Sequence, residues 1–447
     1  MGTINKLLEP TEPSQLKREI GPVSLAANVV NLAIGAGIFV LPARVYESLG
    51  HASLLAYLAC GVLIFMVMLC YAEVGARVSK TGGTYAYVES AFGPFAGFVT
   101  SNLYWFGFGL ISDAAIINAI GDMLAIVWPA FKSFYPRALF FAGSFFIIAF
   151  INVRGVKYGS RLVEFITFAK LMPLGLLILI GWTTVDTTNL AFQEWPSLQQ
   201  IGEACLFLFF AYGGGEASLT VSGEIKNPAR TVPLGVLWGI SFVVIVYIAI
   251  HLITQGILGE GIIANKDAPL AAASHEVFGP VGTGMILICS GICIWGAISG
   301  DVLTMPRFLY AASADKIYPS FLSKIHPRFA TPYWAIAVYT ILAFMFSLSN
   351  GFRSLAILSS AAILITYLAV VMSAIKFRID EKTFKGNGFM VKGGYLVHFI
   401  ALSTIIWFLS YLAINELIAI GLTILIFSGF YLIYRFKNNL KKPIVES

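Results

Sequence analysis

The chain has 447 residues, of which 58% are hydrophobic and only 12% charged, where soluble domains carry about 25% charged residues. A mean hydropathy of +0.83, with the apolar residues gathered in long blocks, excludes a water-soluble enzyme, because a domain of this size still needs a polar surface. The formal net charge of +6 gives no reason to invoke nucleic acid once the basic residues are sorted by position.

Residues 1–21 are polar and contain Lys6, Lys17 and Arg18, without the short apolar core and cleavage site of a secretory signal. The first apolar block is therefore expected to remain as a membrane helix. Runs of at least about 18 apolar residues then fall near 22–48, 53–77, 95–127, 138–153, 160–182, 201–222, 233–257, 281–304, 332–349, 354–375, 395–412 and 417–434. That predicts an all-α, polytopic membrane protein with twelve transmembrane helices. They group as five spans over 22–184, five over 198–376 and a pair over 395–434, followed by a basic tail, 435–447. An even number puts both termini on one side. Of the 29 Lys and Arg residues, twenty-three lie on that side and Arg44, Lys132, Arg137, Lys266 and Arg353 lie opposite, so the positive-inside rule makes the terminal side cytoplasmic. The one basic residue left over is Lys170, inside the fifth span. The basic tail is expected to meet anionic membrane lipid.

Cys60, Cys70, Cys205, Cys289 and Cys293 all sit in apolar runs with no CxxC pair, and the histidines are scattered. Packing roles follow, and no metal or cofactor is expected. No HExxH, Ser/His or paired-carboxylate constellation marks an intramembrane enzyme.

Two spans carry glycine interruptions. The first reads Asn31-Leu-Ala-Ile-Gly35-Ala36-Gly37-Ile38-Phe39 and the sixth Phe209-Phe210-Ala211-Tyr212-Gly213-Gly214-Gly215-Glu216. Small residues also serve helix packing, usually at a spacing of four; three consecutive glycines before a carboxylate have no such period and weaken a helix. Matching breaks in the opening helices of two five-helix halves point to a transporter binding site. A broken helix offers unpaired N–H groups with a positive dipole end on one half and unpaired C=O groups on the other. The amides of Ala36, Gly37 and Ile38 would take an anionic group. Carbonyls near Ala33 and Ile34, with those of Phe210, Ala211 and Tyr212, would take a cationic one. A carboxylate beside an ammonium fits, so an α-amino acid is the expected ligand.

At these residues the sequence resembles the amino acid-polyamine-organocation (APC) superfamily, whose members share the LeuT-type five-plus-five inverted repeat with helices 1 and 6 broken at mid-membrane. The resemblance runs along most of the chain. It is carried by Gly35-Ala-Gly-Ile-Phe39, by Lys80-Thr-Gly-Gly-Thr-Tyr-Ala-Tyr87 with Phe92-Gly-Pro94, and by Glu224-Ile-Lys-Asn-Pro-Ala-Arg230 followed by Pro233. Phe210-Ala-Tyr-Gly-Gly214 is similar to the L-type amino acid transporter branch, which implies neutral substrates, although Gly215 and Glu216 depart from that branch. The resemblance implies that Phe210 closes over substrate, that Gly213 faces the side-chain pocket and that Tyr104 is a second aromatic pocket residue. For both aromatics the alternative is lipid or core packing.

Lys170 matches a fifth-helix lysine that stands where sodium sits in sodium-coupled relatives, so sodium independence is implied. An ionisable residue at this depth is functional by default. Two readings stay open for it, proton exchange during the cycle or a fixed brace on the first helix. Glu216 caps the second half of helix six or acts in gating, proton binding or substrate pairing. Asp113, in the third span, lines a vestibule or pairs with a polar neighbour. Asp301, near the cytoplasmic end of the eighth span, reads as structural, and 305–331 as an ordered cytoplasmic connection.

The leading expectation is a sodium-independent secondary transporter of amino acids, neutral L-amino acids favoured, working by alternating access as exchanger or proton symporter. Its partners would be substrate, lipid and protons, and its place the cell membrane, of a prokaryote on the evidence of short termini. A cationic amino acid or polyamine transporter using Asp113 and Glu216 is the alternative; a transporter-derived sensor or channel is remote.

Overall fold

A computed structural model describes residues 20–35, 37–78, 83–154, 160–192, 194–349, 351–380 and 389–439. The polar segment before Ile20, the Lys80 to Gly82 part of the second motif, and the end of the basic tail from Leu440 lie outside the described residues. What is described is helical, with one isolated bridge, Ile20 to Ile225, as the only extended pairing among these residues.

The first apolar block is two helices, α1 (Pro22–Ala33) and α2 (Gly37–Leu49), and the second is α3 (Leu54–Gly75). A short helix, α4 (Thr84–Phe92), precedes the third block, where α5 (Pro94–Asn102), a π-helical stretch (Leu103–Leu110) and α6 (Ile111–Val127) run on continuously. The fourth and fifth blocks are α7 (Phe134–Arg154) and α8 (Ser160–Gly181). The sixth is α9 (Leu198–Leu208), continued by 3₁₀ turns at Phe209–Tyr212 and Gly215–Glu224. Then come α10 (Pro228–Leu258), the short α11 (Gly261–Ala264) and α12 (Pro269–Phe278), α13 (Pro280–Thr304) and α14 (Pro306–Ala314). The last four blocks are α15 (Tyr333–Ser349), α16 (Phe352–Ile379), α17 (Leu396–Leu409) and α18 (Ile414–Asn439).

Every one of the twelve apolar blocks is thus occupied by helix, and seven stretches of described residues are long and apolar enough to cross a membrane on length and composition. Proline marks many of the starts: α1, α5, α10, α12, α13 and α14 open on it, where its fixed φ and missing N–H are tolerated. The predicted start of the seventh span at 233 is five residues late, because Pro233 is accommodated inside α10. The 305–331 connection is ordered by α14 and by Ser313 Oγ donating to the Pro319 carbonyl at 2.7 Å.

Two groups of helices emerge from the packing. The first, second, sixth and seventh spans (α1 with α2, α3, α9 and α10) pack on one another, as do the third, fourth, eighth and ninth (α6, α7, α13 and α15). The fifth span, α8, and the tenth, α16, touch both groups. Outward faces are apolar: Leu425 is 68% exposed and Leu179 76%. Such a surface needs hydrocarbon as its solvent.

Candidate substrate site at the helix breaks

The first break begins where α1 runs out at Ala33. Ile34 N–H still reaches the Val30 carbonyl at 3.0 Å, Gly35 N–H turns back to the Ala33 carbonyl at 2.9 Å, and helix resumes at Gly37. Ala36 lies outside the described residues. The second break is at Gly213, whose backbone is extended, and at Gly214, whose φ of +107° is one that glycine adopts readily and other residues do not. The two breaks touch. A Cβ on Gly37 would lie 2.8 Å from Ala211 Cβ, and one on Gly214 2.9 Å from the Leu32 carbonyl oxygen. Interruption and close helix packing, posed as alternatives for these glycines, occur together here.

The carbonyls freed at the breaks are met from two other helices. The Lys170 ammonium, 4% exposed on α8, donates to the carbonyls of Asn31 and, at 3.0 Å, Ile34. A cation at the carbonyl end of α1 complements the negative end of its dipole. Tyr247 on α10 donates its hydroxyl to the carbonyls of Ala33 and Ala211, both at 2.9 Å, and so bridges the two breaks. Three of the carbonyls expected to receive a ligand's cationic group, those of Ala33, Ile34 and Ala211, therefore already hold a protein donor.

The N–H side differs between the breaks. At the second, both oxygens of the buried Glu216 carboxylate accept from Gly214 N–H, at 3.2 and 3.0 Å, and Tyr367 on α16 donates to Oε2 at 2.6 Å. At the first, no acidic residue occupies the opening turn of α2. The N–H groups of Gly37, Ile38 and Phe39 have no intrahelical acceptor there, as in any first turn. The arrangement leaves the start of α2 as the anion-accepting end and supplies an anion of its own at the other.

Of the aromatic residues, Phe210 is buried and meets Phe352, the first residue of α16, edge-on at 5.7 Å. Tyr212 points elsewhere: its hydroxyl donates to the Tyr57 carbonyl on α3 at 3.3 Å. The space beside Gly213 holds the Phe108 ring, 2.7 Å from where a Cβ would be. Tyr104 lies on the π-helical stretch with its hydroxyl buried beside the Glu216 carboxylate. With Glu216, Thr84, Thr100 and Thr220 it lines a small cavity of about 10 Å³, room for one water. Asp113 stands apart from the breaks and accepts from Tyr339 on α15 at 2.9 Å. Reading the sequence missed Tyr247, Tyr367 and Phe108. The available signal for the first two was a tyrosine within an aliphatic span, since a buried phenol needs a partner.

Residues 20–438 match the model of a family described as amino acid permease. The chain is 31% identical over 388 residues to the serine/threonine exchanger SteT of Bacillus subtilis (strain 168), covering 84% of this chain and 86% of that protein. It is 28% identical over 346 residues to the large neutral amino acids transporter small subunit 2 of Rattus norvegicus, covering 73% of this chain and 64% of that protein. To the b(0,+)-type amino acid transporter 1 of Oryctolagus cuniculus it is 27% identical over 391 residues, covering 84% and 80%.

Proposed function

Because the chain belongs to the amino acid permease family, we propose that it is a sodium-independent secondary transporter that carries neutral L-amino acids by alternating access, as exchanger or proton symporter. The observation that carries this reading is the Lys170 ammonium seated on the carbonyls of Asn31 and Ile34. A fixed cation there performs the electrostatic work that a coupling ion would otherwise do at the end of α1. The zwitterion's carboxylate is assigned to the N–H groups that open α2, at Gly37 and Ile38, and Phe210 is assigned to close over it.

Support for a neutral side chain comes from Glu216, whose oxygens are engaged by Gly214 and Tyr367, and from relatives named for serine, threonine and large neutral amino acids. The protein would lie in the cell membrane with both termini cytoplasmic. Purified protein in liposomes, loaded with L-serine, L-leucine or L-arginine and given the same labelled amino acid outside, tests the reading. Counterflow of serine or leucine at equal rates in sodium and in potassium is expected; a sodium requirement, or arginine as the preferred substrate, overturns it.

A further inference from the structure

A second set of buried polar groups lies between the third, eighth and ninth spans. Asp113 on α6 is fully buried. Its Oδ2 accepts from Tyr339, while its Oδ1 has no N–H or O–H donor among the described residues. The group facing it is another carboxyl, that of Asp301 on α13: Gly109, one turn before Asp113, lies against Met305, one turn after Asp301, and Tyr104 meets Phe308 further along the same contact, so the two acids fall opposite each other and interact electrostatically. Two carboxyl groups hydrogen-bond only when a proton lies between them; two bare carboxylates repel, and hydrocarbon makes an uncompensated charge costly.

The surroundings supply no counter-charge. Tyr339 faces the pair from α15, Tyr104 from the π-helical stretch and Glu216 from the sixth span; Tyr71 on α3 and Tyr367 on α16 stand beside Glu216. No Lys, Arg or His among the described residues forms an ion pair with Asp113, Asp301 or Glu216. Lys170 touches α13 at Cys289, whose thiol donates to its carbonyl at 3.4 Å. That contact is twelve residues before Asp301, or roughly 18 Å along a helix.

We propose that the Asp113–Asp301 pair is a proton-binding site that couples transport to the proton gradient, an inference that rests on the transport reading above. The pair, which already shares one proton between its carboxylates, takes a second from water, and the new O–H neutralises the charge that remains. When the site turns to the opposite side the O–H breaks and the proton returns to water there, so one proton crosses per cycle and no other bond is made or broken. As a residue Asp301 is half-buried while Asp113 is fully buried, and proton exchange with water is assigned to Asp301. The pair reads as a pre-formed site, with Tyr339 holding Asp113 in place.

Liposomes holding the purified protein, with labelled L-serine or L-leucine outside and a pH-sensitive dye inside, test the proposal. An inward gradient of about one pH unit should drive accumulation toward about tenfold per coupled proton, with internal acidification on adding the amino acid. Asp301→Asn should abolish both while still mediating counterflow at clamped pH, Asp301→Glu should restore them, and Tyr339→Phe should shift the pH profile. Counterflow without gradient-driven accumulation in the unaltered protein, or gradient-driven accumulation that survives in Asp301→Asn and Asp113→Asn, overturns the proton site and leaves the transport reading intact. Absence of counterflow with any amino acid overturns the transport reading itself.

Discussion

Lys170 and Tyr247 are best weighed by what their removal leaves behind. Lys170→Ala strips a donor from the buried carbonyl of Ile34 and from that of Asn31, and an orphaned buried acceptor such as the first costs about 1–3 kcal/mol. We expect a lowered thermal midpoint in detergent together with lost counterflow; unchanged kinetics and an unchanged pH response would eliminate both the brace and the proton-exchange roles. Tyr247→Phe removes one hydroxyl shared by the carbonyls of Ala33 and Ala211, and about 1–3 kcal/mol of destabilisation should appear in the same melting assay without gross unfolding. Lys170 was legible in the sequence because an idle charge inside an apolar span is costly. Tyr247 was not, because an aromatic residue in such a span packs well whether or not its hydroxyl finds a carbonyl two helices away. Asp301 read as structural in the sequence, where the proposed pairing with Asp113, 188 positions earlier in the chain, leaves no local signal.

Among the elements, the two interrupted helices were visible as glycine runs, whereas the π-helical stretch Leu103–Leu110 was not. A local change from i+4 to i+5 bonding leaves the apolar pattern intact, and such widened turns often sit at functional sites. This one turns Tyr104 and Phe108 toward the sixth span, where Phe108 occupies the space that Gly213 leaves. Phe108→Ala should enlarge that space and raise the ratio of leucine to serine transport, measured by competition in counterflow. An unaltered ratio would remove Phe108 from the side-chain pocket. At the neighbouring position, Gly214→Ala forces a side chain into a φ of +107° against the Leu32 carbonyl, and strain of about 1–3 kcal/mol should lower the melting midpoint.

The whole molecule is held partly by charge at the end of the second span. Glu73 on α3, fully buried, receives the guanidinium of Arg378 on α16 and the N–H of Val391, and Arg77 lies 3.3 Å away. Breaking a buried pair on one side costs about 3–5 kcal/mol, whereas replacing both partners by apolar residues is often neutral. Arg378→Met should therefore lose folded protein, scored by monodispersity after extraction, and Glu73→Met with Arg378→Met should recover much of it. The hydrogen bonds near the breaks also divide by what they join. Tyr247 ties together spans of a single packing group. Lys170 and Tyr367 reach in from α8 and α16, the two helices that touch both groups. If the groups rock past each other, Tyr247 travels with its partners and the other two behave as latches, so weakening one latch alone should tilt the resting orientation toward one face of the membrane.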